Sequence, residues 1–291
     1  MSNIGLHEMA SYGPLFDLAC IYSILSFSHY VTLRGGAFSL GTPGFALLGA
    51  YCGGILIKTG FNPVGCVVAA TLLGAFAGLA LSLPLARLQG GFQAIATIAF
   101  FQIMVALALY AEPLTGGALG LNAIPKVATT PWVVMALVLV AGLLTIINRT
   151  GIGRAFDAIR QDMTVARSLG ISVPHFVRLN FVLSGAIGAL GGCLLAFNTY
   201  SISPGEFGFQ LLVAVLAGVV LGGRSMVAGP ILGSFILILL PEFARPLKDQ
   251  RLLLQGTLLI LIIIYLPQGI VDSVINRWRS ARKVPAAGIS Q

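Results

Sequence analysis

Side chains able to meet a polar solute are sparse in this sequence. Gln93 and Thr97 stand four residues apart and share one helix face, with Gln102 within reach of it. Their amide and hydroxyl groups suit hydrogen bonds to a polar solute or, equally, to neighbouring helices. A second polar stretch is Ser39-Leu-Gly-Thr-Pro-Gly44. Pro43 removes a backbone donor and disfavours helix at Thr42, and Gly41 and Gly44 weaken it further. Inside a bilayer, broken backbone survives only where protein buries it or where it lines a wet cavity. Ser39, Gly41, Thr42 and Gly44 therefore either border a translocation pathway or admit a closely packed helix. Gly90 and Gly91, just ahead of Gln93 and Thr97, repeat the theme.

No catalytic set accompanies them. His7, His29 and His175 are too far apart in sequence to suggest a ligand set, and no HExxH, GxSxG or CxxC run occurs. The lysines, Lys58, Lys126, Lys248 and Lys283, supply no GxxxxGK[ST] run, so the chain does not bind ATP in that manner. Cys20, Cys52, Cys66 and Cys193 lie within apolar runs and read as small buried residues. Asp17 and His29 flank the first apolar run, while Glu206 and Glu242 sit at the ends of later ones. At such places they are expected to be solvated, and the lack of a chain of intramembrane carboxylates argues against a proton-coupled pump.

The elements that would position these groups follow from composition. The chain is 57% hydrophobic and 9% charged, where soluble domains carry about 25% charge. Apolar runs recur at 14–33, 37–57, 64–83, 92–110, 131–147, 179–198, 207–221, 228–243 and 252–266, so about nine helical spans are expected, some glycine-broken or re-entrant. The absence of residue-by-residue alternation excludes a membrane β-barrel. The expected fold is all-α: a polytopic helical bundle forming a single transmembrane domain over 1–291, with no removed signal peptide. The basic residues lie beside spans, which points away from nucleic acid. Lysine and arginine placement predicts the N-terminus outside. Arg34, Arg87, Arg149, Arg154, Arg160, Arg167, Arg178, Arg224, Arg277, Arg279, Arg282 and Lys283 then fall inside, against Lys58, Lys126, Arg245, Lys248 and Arg251 outside. The basic tail within 271–291 is expected to be cytoplasmic and to touch anionic lipid. The glycine-rich loop from Glu112 to Asn122 falls outside, as a docking surface or a flexible turn.

Between two spans lies a charged island, 149–171. Ile152, Phe156, Ile159, Met163, Ala166 and Leu169 recur at spacings of three and four, which predicts one amphipathic helix with Thr150 before it and Gly170 as its stop. Such a helix either lies on the lipid surface or is gripped by a soluble partner.

Several motifs resemble those of the membrane-spanning permeases of bacterial ABC importers for branched-chain amino acids. They are Ser39-Leu-Gly41 with Gly49-Ala-Tyr51; Gly90-Gly-Phe-Gln-Ala-Ile-Ala-Thr-Ile-Ala-Phe100 with Thr115-Gly-Gly117 and Gly120-Leu121; Gly153-Arg-Ala-Phe-Asp-Ala-Ile-Arg160 running to Ala166 and Gly170; Val220-Leu-Gly-Gly223 with Gly229-Pro230 and Gly233; and Arg251-Leu-Leu-Leu254 with Gly256 and Pro267-Gln-Gly269. They span most of the chain in family order. The third is similar to the EAA motif, which in that family forms a cytoplasmic coupling helix seated in a cleft of the ATPase. The resemblance implies that Phe156, Ile159 and Met163 fill the cleft, that Arg154, Asp157, Arg160 and Arg167 set register at its rim, and that Gly170 closes the motif. Met163 and Val165 depart from the family, which commonly has an acidic residue and an alanine there. The resemblance further implies a second, related permease subunit, two ABC ATPases that bind ATP and Mg, a periplasmic substrate-binding protein, no cofactor or metal on this chain, and a place in the inner membrane. The alternative class is a secondary transporter or channel working without an ATPase. A membrane enzyme or structural subunit is the third.

Overall fold

The computed structural model describes residues 3–88 and 90–243. The run at 252–266 and the tail at 271–291 lie outside them. All the regular elements among the described residues are helices: α1 Asn3–Arg34, α2 Thr42–Lys58, α3 Pro63–Leu85, α4 Gly91–Tyr110, α5 Glu112–Thr115, α6 Thr130–Arg149, α7 Gly151–Gln161, α8 Met163–Ser168, α9 Val173–Thr199, α10 Phe209–Gly222 and α11 Ala228–Phe243. Among the described residues five segments are long and apolar enough to cross a membrane: Gly13–Arg34 of α1, and α3, α4, α6 and α9. Helices α2, α10 and α11 are shorter, at 17, 14 and 16 residues.

The core forms where α1 and α9 run through the centre, with α2 and α3 packed on α9, α6, α10 and α11 on α1, and α4 on α2. Helices approach in a bilayer through close packing and hydrogen bonds rather than through the hydrophobic effect. The sequence supplies the first with glycine. Gly74 and Gly78, four apart on α3, face the Gly185 and Phe181 carbonyls of α9, so that an added Cβ would overlap backbone at either position. Gly49 of α2 meets the Ala189 carbonyl, and Gly192 of α9 meets the Ala46 carbonyl. Hydroxyls supply the second. Ser28 donates to the Ser184 carbonyl at 2.9 Å and lies 3.3 Å from the Thr42 hydroxyl, while Ser26 pairs with Ser234 at 2.9 Å.

The loops gather at two ends, as alternating spans require. At one end Leu121 and Ile202 exchange backbone hydrogen bonds of 2.9 and 3.0 Å, Lys58 Nζ donates to the Asn122 carbonyl at 2.9 Å, and Thr130 donates to Asp17 at 3.1 Å. The Glu112–Asn122 loop is shaped rather than loose: α5 and a 3-10 turn at Gly117–Leu119 fill it. The other end holds Arg34, Arg87, the α7–α8 pair and Arg224.

Three expectations are corrected. The second span does not begin at 37: residues 37–41 are coil, and α2 starts at Thr42 with Pro43 in its first turn, where a missing N–H costs nothing. Pro43 therefore starts a helix instead of breaking one. Asp17 and His29 are not solvated; they are 4% and 0% exposed, and both ring nitrogens of His29 lack a partner among the described residues. The 149–171 island is two helices, α7 and α8, divided at Asp162.

Candidate functional site

Asp162 divides the island because its side chain takes over the start of the next helix. With extended backbone (φ −157°, ψ 117°), its Oδ1 accepts the amides of Thr164 at 2.7 Å and Val165 at 3.1 Å. This is an N-cap, a position that Asp favours. At the far end Gly170 adopts φ +81°, its amide donates to the Arg167 carbonyl, and the Ile171 amide reaches back to Ala166. That pattern is a Schellman stop, and its left-handed residue favours glycine. The backbone amides of Val165 and Thr164 hold the Asp162 carboxyl below the ordinary aspartate value. A depressed carboxylate stabilises above its unfolded pKa and loses that contribution as pH falls through its folded one. In detergent, the protection of the Thr164 and Val165 amides, measured against their intrinsic exchange rate at each pH, should hold down to the ordinary aspartate range and fall only below it. Asp162→Ala should show the reduced protection at every pH; equal protection in the variant would remove the cap.

Each helix turns one face to the chain. Phe156 and Ile159 are 2% and 1% exposed. Phe156 meets the ring of Phe176 edge-on, and Ile159 and Ala166 join Ala37, Leu85, Val173, Val177 and Phe181 in one apolar cluster, with Met163 at its margin. Expected to fill a partner's cleft, Phe156 and Ile159 are instead consumed by this chain's own packing. The reason is periodicity: the face that recurs every three to four residues is the one that seats the helix on the bundle. The outer face keeps Arg154, Arg160, Gln161, Thr164, Arg167, Ser168 and Gly170 exposed, with Val165 and Leu169 53% and 71% exposed beside them.

Asp157 points inward to the end of α1. Its Oδ2 accepts Arg34 Nη2 at 3.1 Å, and Arg160 stands 3.8 Å from Oδ1. Arg34 Nη1 donates to the Tyr30 hydroxyl at 2.9 Å and to the Ser225 carbonyl at 3.3 Å, and Asn148 Nδ2 donates to the same Tyr30 oxygen at 3.2 Å. One guanidinium thus ties α7 to α1 and to the α10–α11 turn, while Tyr30 adds the end of α6. A narrow crevice lined by Tyr30, Arg34, Leu144, Asn148 and Phe156 separates these parts.

A second link runs through the coil after α1. Gly36, at φ +74°, sits so close to α7 that an added Cβ would lie 3.2 Å from Arg160 Cα. Further along, the Phe38 amide donates to Gln93 Oε1 at 3.3 Å and the Leu40 amide to Thr97 Oγ1 at 2.9 Å. Gln93 Nε2 donates to the Leu85 and Leu88 carbonyls at 3.2 and 2.9 Å, and Thr97 donates to its own helix. Gln93 and Thr97 are 1% and 0% exposed, with no group free for a solute.

Four more of the pathway candidates are spent within the chain in the same way. Ser39 and Thr42 are each 1% exposed; Gly41 and Gly44 pack on α4, where an added Cβ at Gly44 would lie 2.7 Å from the Phe100 ring. These residues are tether and packing in this conformation. Gly90 and Gly91 are exposed with nothing near them.

Sequence reading missed Arg34, Tyr30, Asn148 and Gly36. Only Gly35-Gly36 after a charged span end hinted at them; the partners lie more than a hundred positions away.

The comparisons bear on this geometry. Residues 15–265 match the family model described as branched-chain amino acid transport system / permease component. This chain belongs to that family. It is 32% identical to the high-affinity branched-chain amino acid transport permease LivM of Escherichia coli K12 over 87% of this chain and 68% of the relative. It is 31% identical to LivM of Salmonella typhimurium over the same shares, and 29% identical to E. coli LivH over 48% of this chain and 46% of that one. No solved structure matches. The chain is a multi-pass permease component of an ABC transporter.

Proposed function

We propose that this chain is one of two permease subunits of an ATP-driven importer for branched-chain amino acids or similar small zwitterionic or neutral solutes. It lies in the inner membrane with its N-terminus outside and the α7–α8 end in the cytoplasm. LivM and LivH both resembling this chain supports a partner that is related but different. Two ABC ATPases bind and hydrolyse ATP with Mg, a periplasmic protein delivers the solute, and this chain performs no bond chemistry. The observation that carries the reading is the α7–α8 pair, with its apolar face spent on the bundle and a basic outer face, on which Arg154 and Arg167 have no ion-pair partner among the described residues, at the end where arginines collect. The ATPase grips that outer face through Arg154, Arg160, Arg167, Val165 and Leu169. Phe156, Ile159 and Met163 support it from beneath, and Gly170 sets the exit of the chain. ATP-driven closure moves α7–α8. Arg34 and the 35–41 coil pass the motion to α1 and α4, with Gly90 and Gly91 as the pivot of α4 and Ser39, Gly41, Thr42, Gly44, Gln93 and Thr97 as its coupling to the coil. Different contacts in two global states do the work.

The test is the double variant Arg154→Glu, Arg167→Glu in the assembled transporter. Both arginines are exposed and outside any ion pair among the described residues, so insertion should be normal. Co-purification with the ATPases and ATP-driven leucine uptake should both fall by about tenfold or more, the effect expected of like charges at an interface. Survival of both would refute the docking face. Uptake by this chain alone, without ATPases, would favour the secondary-transporter reading.

A further inference from the structure

Most of α4's outer surface is apolar, and Ile95, Ile103 and Leu107 are each more than half exposed. Gln102 interrupts it. It is the twelfth residue of α4, about 17 Å of helix from Gly91 and about 12 Å from Tyr110 at 1.5 Å per residue, and so near the middle of the bilayer. Its side chain is exposed and has no hydrogen-bond partner among the described residues. Other hydroxyls on the outer helices avoid this problem: Thr71 donates to the Val67 carbonyl and Thr145 to the Ala141 carbonyl, each at 2.7 Å. An unsatisfied amide facing hydrocarbon at that depth costs several kcal/mol. Gln102 therefore meets water, solute or another protein in the working assembly. Its flanks, Ala99 and Ala106, are small and leave space around it. Gln102 is not within reach of the Gln93 and Thr97 face as expected: about 140° away on the same helix, Thr97 is bonded to the coil that rests on α7. One face of α4 is thus tied to the motor end and the opposite face carries a free polar group at mid-membrane.

We propose that Gln102 contacts the transported solute, its amide standing on the wall that this chain turns toward the second permease subunit. This rests on the permease reading. The amide offers one acceptor and two donors, which suits the ammonium and carboxylate of a zwitterion in an otherwise apolar passage. It is a specificity-determining residue for transport.

The assembled complex in proteoliposomes tests this. Gln102→Cys should react with a water-soluble, membrane-impermeant methanethiosulfonate, and saturating leucine should slow that reaction. Phe76→Cys, on the outward face of α3 and 69% exposed, should stay unlabelled. Gln102→Leu should raise the KM of uptake about tenfold, the loss of one hydrogen bond to a charged group, and Gln102→Asn should recover part of it. ATPase co-purification should not change in either. A Gln102→Cys complex unlabelled in every nucleotide state overturns the proposal. So does labelling that leucine leaves unchanged together with a normal KM in Gln102→Leu. Loss of the permease pair in Gln102→Leu, with no labelling of the cysteine, would instead make Gln102 an intersubunit bond and overturn the solute role. A wild-type complex without ATP-driven uptake would overturn the permease reading itself.

Discussion

Gly185→Leu should abolish accumulation of the folded protein in the membrane, and Gly74→Leu should do the same. The two glycines face each other where α3 crosses α9, and each would drive a Cβ into the other's carbonyl. Neither neighbour is a flexible side chain that can swing aside, so the helices must separate along the most extensive contact in the bundle. Overpacking a core typically costs 1–3 kcal/mol, and a backbone-to-backbone clash cannot relax as those cases do. Gly142→Leu on α6, with nothing near it, is the control and should accumulate normally. Detergent-extracted yield and thermal aggregation measure the effect; a stable Gly185→Leu protein would mean that α3 does not lie against α9.

Arg34→Ala should leave the protein inserted and bound to its ATPases while cutting ATP-driven uptake about tenfold or more. The guanidinium joins α7, α1 and the α10–α11 turn. Its side chain is 13% exposed against 37% for Asp157, so the pair is not a fully buried one, and its worth to stability is closer to the ~1 kcal/mol of partly solvated bridges. The large loss belongs to transport: removing one tie does not unfold the bundle but lets α7 move without α1. Asp157→Asn should give a milder defect, because the amide still accepts from Arg34. The exchanged pair Arg34→Asp with Asp157→Arg should regain part of the uptake. ATP hydrolysis measured alongside uptake decides the matter. Coupled loss of both would mean failed docking, whereas hydrolysis that continues without uptake is the expected result.

The helices themselves were legible because long apolar runs have few other fates, and the positions near Gly13, Gly91, Thr130 and Phe209 needed only composition. What composition could not reveal was which side of each polar residue is spent internally. Gln93, Thr97 and Gln102 look alike as letters; two are locked into a coil from 55 and 57 positions earlier and one is not. Periodicity located the stripe of Phe156 and Ile159 but left its owner open, since a helix can turn such a stripe to a partner or to its own bundle. Asp162 was hidden because an aspartate is tolerated on an exposed helix face as well as at a cap. His29 was misplaced by taking a polar residue near a span end as wet; protein, not water, surrounds it.

The coil at 37–41 has no regular structure; Gly36 ahead of it packs on Arg160, and the Leu40 amide near its end is bonded to Thr97. A strap of this kind resists stretching far better than it resists slackening, and five residues can reach no more than about 17 Å. It therefore behaves as a leash of fixed length rather than a lever. With Arg34 bonded to Asp157 just ahead of the strap, separation of α7 from α4 is bounded by that length, while approach meets no such stop, so this connection limits movement in one direction only.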